Sequence, residues 1–424
     1  MNWDNINKIL DKYTQYKHYH LLFEKHGWKK RASREDMAKT LYEAVNDRGF
    51  LEPALSEEAF DEWFALHQID GNNYTFVYNL TEKADQNLLL NLYNQRHNLI
   101  KKKLWEFNPD NQSEDLDSVI PGLTSLNLIG IHRNIVKGTY TFSFIAPCQV
   151  WGRKVDSSTR IFKKIFFAHC VLFDDSNDCK VIFNPTSNLI NVNGVEREKR
   201  RNWTPIASMF FEELKKYIGS HFIKAPLWIP NALYKLAEEA TGHNNPTVTE
   251  FSFNAQDKIE KFASSILADA GISHESDQAL VARLIQDIQQ SYESQLVERY
   301  GVIEDNEESF ELFRQRSDGL VHSINVETHR DGMRVGAAAE AARRSRAGSD
   351  IDLLGVILKT GGCMHKFLVE QGTEAYLIRG TGTFIEEGVV DIVVRKLNVY
   401  REEIQSSEYS CEPSTKGANL PPSQ

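Results

Sequence analysis

Cysteine is scarce and scattered. The five residues Cys148, Cys170, Cys179, Cys363 and Cys411 stand in 424 with no Cys-x-x-Cys pair, which excludes a disulfide framework and a structural zinc ribbon. Long apolar runs are missing too. The stretch from Ile165 to Phe173 is among the longest, and it is far short of the roughly 20 residues that a bilayer-spanning helix needs. The opening residues MNWDNINKILDKY lack the apolar stretch of a secretion signal, so reduced thiols, a cytoplasmic location and no membrane partner are expected. Positive charge is in deficit: 49 Lys and Arg against 59 Asp and Glu give a net −10. That balance favours solubility and excludes a wholly basic nucleic-acid binder, while leaving room for a local basic surface.

What is present is an ordinary globular composition, 41% apolar and 25% charged, in a chain longer than one hydrophobic core usually serves. The hydrophobic period changes three times along it. Residues 1–105 read as a helical domain, with Ser33 and Ser56 placed as N-caps and Gly71-Asn72-Asn73 as a turn before a strand. Helix, helix, then ribbon resembles a winged-helix unit. Its second helix carries Glu57, Glu58, Asp61 and Glu62, which would set like charge against phosphate, so a packing or protein-contact role is expected for it. Residues 106–122 are acidic and proline-bounded, as a linker is. Residues 123–201 read as a basic antiparallel β block of about four strands.

Residues 202–302 return to a helical period, with Thr204-Pro205 and Ile229-Pro230 as helix starts and Gly271 and Gly301 as stops. Residues 303–403 read as a C-terminal β-rich domain with four strand-like runs between Asp352 and Tyr400, and 404–424 as a disordered tail. The expected class is α+β: an N-terminal helical domain, an antiparallel β block, a helical middle and a second β-rich block.

Charge is distributed unevenly. From Arg133 to Arg201 there are twelve Lys or Arg and six acids, a difference of +6, so the rest of the chain carries −16. Such asymmetry suits a surface that tracks phosphate, and the candidate contacts are Arg153, Lys154, Arg160, Lys163, Lys164, Arg197, Lys199, Arg200 and Arg201. Phe142, Phe144, Trp151, Phe162, Phe166 and Phe167 interleave with them. Two readings fit: the rings stack on bases beside a basic groove, or they form the buried face of the sheet while the lysines form its wet face. The expected function is non-enzymatic binding, as a subunit of a larger assembly, to nucleic acid or an acidic protein, with no cofactor.

The alternative lies further on. VGAAAEAARRSRAGSDIDLL, followed by GVVDIVV about forty residues later, resembles the arrangement in minimal nucleotidyltransferases: a glycine with small neighbours, a helical turn, an Asp-x-Asp pair on a strand and a third carboxylate on a neighbouring strand. The resemblance implies that Asp350, Asp352 and Asp391 hold magnesium and orient a triphosphate. Here Gly336 is followed by Ala337, Ala338 and Ala339, where that family places serine or glycine. The same Asp-x-Asp also suits the start of any strand, where aspartate caps the preceding turn. Arg343, Arg344 and Arg346 read as the solvated end of an alanine-rich helix, and His169 as a core histidine.

Overall fold

The computed structural model describes residues 1–47, 53–109, 120–153, 159–199, 202–272, 277–303, 308–318, 323–328, 332–333, 337–346, 350–382 and 384–410. Lys154, Arg200, Arg201, Gly336, residues 110–119 of the expected linker and the tail from 411 lie outside them.

The helices are α1 (Trp3–Tyr13), α2 (Tyr16–Lys25), α3 (Arg34–Asn46), α4 (Glu57–Leu66), α5 (Gln86–Asn94), α6 (Arg96–Leu99), α7 (Thr204–Ile218), α8 (Ile229–Ala240), α9 (Pro246–Asp269), α10 (Gln278–Tyr300), α11 (Ala337–Arg346) and α12 (Glu387–Ser410). The strands are β1 (Tyr74–Leu80), β2 (Asn127–Asn134), β3 (Thr139–Arg153), β4 (Thr159–Phe173), β5 (Asp178–Phe183), β6 (Leu189–Val192), β7 (Val195–Glu196), β8 (Ile223–Lys224), β9 (Ser309–Asp318), β10 (Ser323–Glu327), β11 (Asp350–Thr360), β12 (Cys363–Glu370) and β13 (Ala375–Gly380). The chain is α+β.

Local signals act where they are expected. Ser33 Oγ accepts the Asp36 N–H at 3.0 Å, and Ser56 Oγ accepts that of Ala59 at 3.1 Å, each supplying an acceptor to a free N–H in a first helical turn. Proline occupies the first turns of α7 and α8, and Gly301 closes α10 at φ +79°, a conformation that favours glycine.

Two compact units emerge. The first comprises Met1–Pro226 with Gly372–Val390, and the second Leu227–Gln371 with Asp391–Gln424. In the first unit the strands run in the order β13-β1-β5-β4-β3-β6-β7, with β2 also on β3 and β8 also on β1. β2 to β5 form the expected meander. β1 is no wing, because it pairs along its length with β13 and β5 inside the sheet. One face of this sheet is apolar: Phe76, Tyr78, Phe142, Phe144, Phe166, Cys170 and Phe183 pack on Phe210, Phe211 and Leu214 of α7. Tyr78 stacks on Phe211 with centroids 4.6 Å apart.

The second face divides. Ile129, Ile145, Ile165 and Phe167 pack against the core of α1 to α4. Beside them lies a buried polar strip. His169 Nδ1 meets Ser143 Oγ at 3.0 Å, and His67 meets Phe64 O at 2.8 Å and Thr14 Oγ1 at 3.0 Å. His18 Nε2 meets the carbonyl of Asp70 at 3.0 Å. Lys180 on β5, 0% exposed, is paired to Glu387 at the start of α12. The other Glu387 oxygen takes Lys137 at 2.7 Å, and its backbone N–H donates to Asp70 Oδ1 at 2.8 Å. Burial opposes ionisation of Glu387, but the two ammonium groups outweigh it and hold its pKa low.

In the second unit β10, β9, β11 and β12 form an antiparallel sheet in that order. Gln315 is buried on β9, and its Nε2, with two protons to donate, lies 2.9 Å from each of three acceptors, Ser317 Oγ, Ala342 O and Ser345 Oγ. Arg346 is buried, not solvated: it donates to Glu238, to Thr241 Oγ1 at 2.9 Å and to Gln315 Oε1 at 3.3 Å. The run Val389 to Tyr400, read as a strand, is helical. Its buried residues Val393, Leu397, Tyr400 and Ile404 recur every three or four positions, a helical stripe that the β-branched composition disguises. That helix continues through Ser410, seven residues into the expected tail. Among the described residues no helix is long and apolar enough to cross a membrane.

Replacing one member of the buried pair strands the other. Glu387→Leu should cost about 3–5 kcal/mol in chemical denaturation, and the double variant Lys180→Met/Glu387→Leu should recover most of it; a single variant costing under about 1 kcal/mol would show that Lys180 reaches water. Acid should also weaken the first unit. Burial lowers the pKa of His18 from 6.5 to about 4 and of His169 to about 3, and holds His67 well below 6.5. The stability these neutral rings confer is complete above pH 6.5 and is lost on acidification by about 1.4 kcal/mol per pH unit for each. Asp70 opposes them, since lost hydration raises its pKa from 3.8 to about 6, so it gains protons on folding between those values. Three histidines against one aspartate leave a net loss from pH 6 to 4. The urea midpoint should fall across that window, and less steeply in His169→Asn.

Candidate nucleic-acid interface

β3 and β4 are each 15 residues long and pair without interruption from Thr139 and Phe173 to Arg153 and Thr159. Their neighbours are shorter. β5 pairs with β4 only over Ala168–Leu172, and β6 with β3 only over Cys148–Val150. The far ends therefore run past β5 and β6, although Trp151 N–H still donates to Asn188 O at 2.8 Å, so that only Gly152–Arg153 and Thr159–Arg160 form a ribbon two strands wide. The ends of the two strands carry Arg153, Arg160, Lys163 and Lys164, the two lysines lying opposite Gln149 and Cys148 where β6 still pairs with β3, and the described residues of this arm include no acid.

Period two divides those cations between the two faces. Cys148 is opposite Lys164 and Gly152 opposite Arg160, while Gln149 is opposite Lys163 and Arg153 opposite Thr159. Arg160 and Lys164 thus project from the face that bears Phe162, and Arg153 and Lys163 from the face that bears Trp151. Gly152 has a steric role here: a Cβ would lie 2.6 Å from the Phe162 ring, so only glycine lets that ring lie across the ribbon. Arg153 and Lys164 are exposed and Arg160 and Lys163 half-buried. Lys199 is exposed just after β7. No carboxylate pairs with Arg153, Lys163, Lys164 or Lys199 among the described residues.

Two expectations change. Arg197 is used internally, donating to Leu189 O at 2.9 Å and lying over the Trp203 ring at 5.0 Å. The interleaved aromatics are not a stacking platform. Phe142, Phe144, Phe166 and Phe167 are core residues, Phe162 is half-buried, and Trp151 alone is well exposed, at 50%. The strands place these phenylalanines inward because the burial of each large ring against helices contributes on the order of 2 kcal/mol.

The carboxylate set does not assemble. Asp350 is exposed, and a bulge between Ile351 and Leu353 breaks the alternation that would aim Asp352 with it. Asp352 is committed to Arg316, whose Nε donates to both its oxygens at 2.9 and 2.7 Å and whose terminal nitrogen lies at 2.6 Å. Asp391 sits on α12 and not on an adjacent strand. Among the described residues no three His, Cys, Asp or Glu form a group that could hold a metal.

The sequence reading missed the buried Lys180 and Glu387. A lone lysine inside the strand DCKVIF is a signal in hindsight, but nothing local points to its partner 207 residues away. Two acids of α4 are likewise engaged, Glu58 with Arg96 at 2.6 Å and Asp61 with Lys103 at 3.0 Å.

The Asp352 pair is partly exposed, so Asp352→Ala should cost only about 1 kcal/mol and Asp350→Ala within about 0.5 kcal/mol. Urea midpoints of both variants, with and without magnesium, check this; a magnesium-dependent midpoint in the parent that Asp352→Ala abolishes would restore the metal reading. No protein-family model, curated protein or solved structure matches the chain.

Proposed function

We propose that this chain is a nucleic-acid-binding protein that acts without catalysis, as a binding subunit, through the arm formed by the ends of β3 and β4. The observation that carries the reading is unpaired charge. In a chain of net −10, cations are readily drawn into pairs, as Arg96 is to Glu58, Lys137 to Glu387 and Lys396 to Glu239. Arg153, Lys163, Lys164 and Lys199 are left without carboxylates among the described residues. Phosphates supply the missing countercharge, with release of condensed cations as the driving force. The free, buried thiols of Cys148, Cys170 and Cys179, whose pKa values burial raises, fit a reducing cytoplasm.

The test is fluorescence anisotropy of a labelled oligonucleotide across a salt series. Binding should weaken steeply with salt. Changing Arg153, Lys163, Lys164 and Lys199 together to Gln should lower affinity at least tenfold and flatten the salt slope by about 0.9 for each phosphate no longer neutralised. Lys235→Gln, outside the arm, should change neither. Absence of binding at low salt would sink the proposal, and tighter binding of an acidic polypeptide would reassign the arm to a protein partner.

A further inference from the structure

The geometry points to a binding site for a phosphate monoester, in a cleft at the outer edge of β4. β5 stays beside β4 only as far as Ala168, and from there the junction of α1 and α2 takes over the edge. Tyr13 fastens it. Its hydroxyl oxygen accepts the Ile165 N–H at 2.9 Å, its ring meets Phe167 with centroids 5.3 Å apart, and its carbonyl accepts the Gln68 amide at 2.7 Å. Strand and junction leave between them a cleft of about 190 Å³. Lys12 and Gln15 line it from the junction, Lys164 from β4, and Asn184 and Thr186 from the segment after β5.

The chemistry of the lining is one-sided. Its described residues include two lysines and no carboxylate, in a chain of net −10. The Lys164 ammonium and the Thr186 hydroxyl have no partner among the described residues, while Lys12 Nζ donates to Pro109 O at 3.1 Å. Cys148 also lines the cleft but supplies no countercharge, because burial pushes its thiol up to about 12 and keeps it neutral. Ammonium, hydroxyl and amide groups all donate hydrogen bonds, and the oxygens of an anion accept from each of them. Size selects the anion. The cleft is smaller than the roughly 300 Å³ at which pockets for whole small molecules begin, so it admits a group and not a nucleotide. A phosphate monoester brings about two negative charges and three acceptor oxygens, enough for both lysines and Thr186. A backbone diester brings a single charge and has to continue on both sides. The site stands apart from the function of the arm and shares only Lys164 with it.

Calorimetric titration of the full chain at low salt, with ribose 5-phosphate, ribose and dimethyl phosphate as probes, tests the site. Ribose 5-phosphate should bind with a Kd of about 1 mM or tighter, ribose not at all, and the diester about tenfold more weakly than the monoester. Lys12→Gln, Lys164→Gln and Thr186→Val should each weaken ribose 5-phosphate about tenfold, as loss of one hydrogen bond to a charged group does, with circular dichroism confirming the fold. Arg153→Gln, outside the cleft, should leave it unchanged. Anisotropy of an oligonucleotide bearing a 5′-phosphate or a 5′-hydroxyl identifies the source of the group. A preference for the phosphate that Thr186→Val erases assigns the end of a strand, and equal behaviour of the two assigns a free phosphorylated small molecule. Ribose 5-phosphate that fails to bind at about 10 mM, that binds no better than the diester, or that ignores the three variants overturns the site. The 5′-hydroxyl strand, held by the arm alone, reports on the arm separately.

Discussion

An ammonium group in the middle of a sheet has to be neutralised, and in the first unit that constraint organises the fold. Lys180 is flanked in register by Val77 of β1 and Val171 of β4 and sees no solvent. Its partner Glu387 arrives 207 residues later, so the segment 372–390 has to return to this unit. Three interactions fasten the return: β13 pairs with β1, Gly71 and Ile385 exchange backbone hydrogen bonds, and the Glu387 N–H rests on Asp70. A buried ion pair is weak evidence for stability, because hydrophobic residues of similar volume would serve as well. Register is what it enforces here. A slip of β5 by one residue would turn Lys180 to the apolar face, among Phe76, Phe183 and Phe210.

The same constraint marks where the sequence is legible. Caps, proline starts, glycine stops and the meander β2 to β5 depend on residues within a few positions of one another, and all of these could be read. α12 could not, because Val389, Val390, Ile392, Val393 and Val394 have the composition of a strand, while the decision rests on tertiary burial of Val393, Leu397 and Tyr400. The winged-helix resemblance failed for a similar reason. The partners of β1 are residues 178–183 and 375–379, and no local pattern announces pairings at such separations.

The candidate sites show the same division. Counting charge located a basic block, yet a count cannot separate Lys180 and Arg197, which serve the interior, from Lys163 and Lys164, which do not. The alternation Thr141, Phe142, Ser143, Phe144 allowed either face to be the wet one. It is the presence of α7 with Phe210 and Tyr217 that claims the phenylalanines. Asp-x-Asp was readable as a pattern, but the bulge at Asp352 and the guanidinium of Arg316 are decided by β9.

One other physical account of the arm has to be met. Exposed strand edges invite pairing with other chains, and charged side chains along an edge prevent it. The free edge of β4 needs such protection, and Lys163 and Lys164 supply it. Protection is indifferent to sign, however, since a row of glutamates repels its own copy as well as a row of lysines does. This chain has 59 acids to draw on, and an acidic edge would match its net charge. From Gln149 to Lys164 it instead places five cations and one acid, and it spreads the described ones over both faces when guarding an edge requires only one. The excess of a single sign is what the proposed phosphate-contacting surface accounts for and edge protection alone does not.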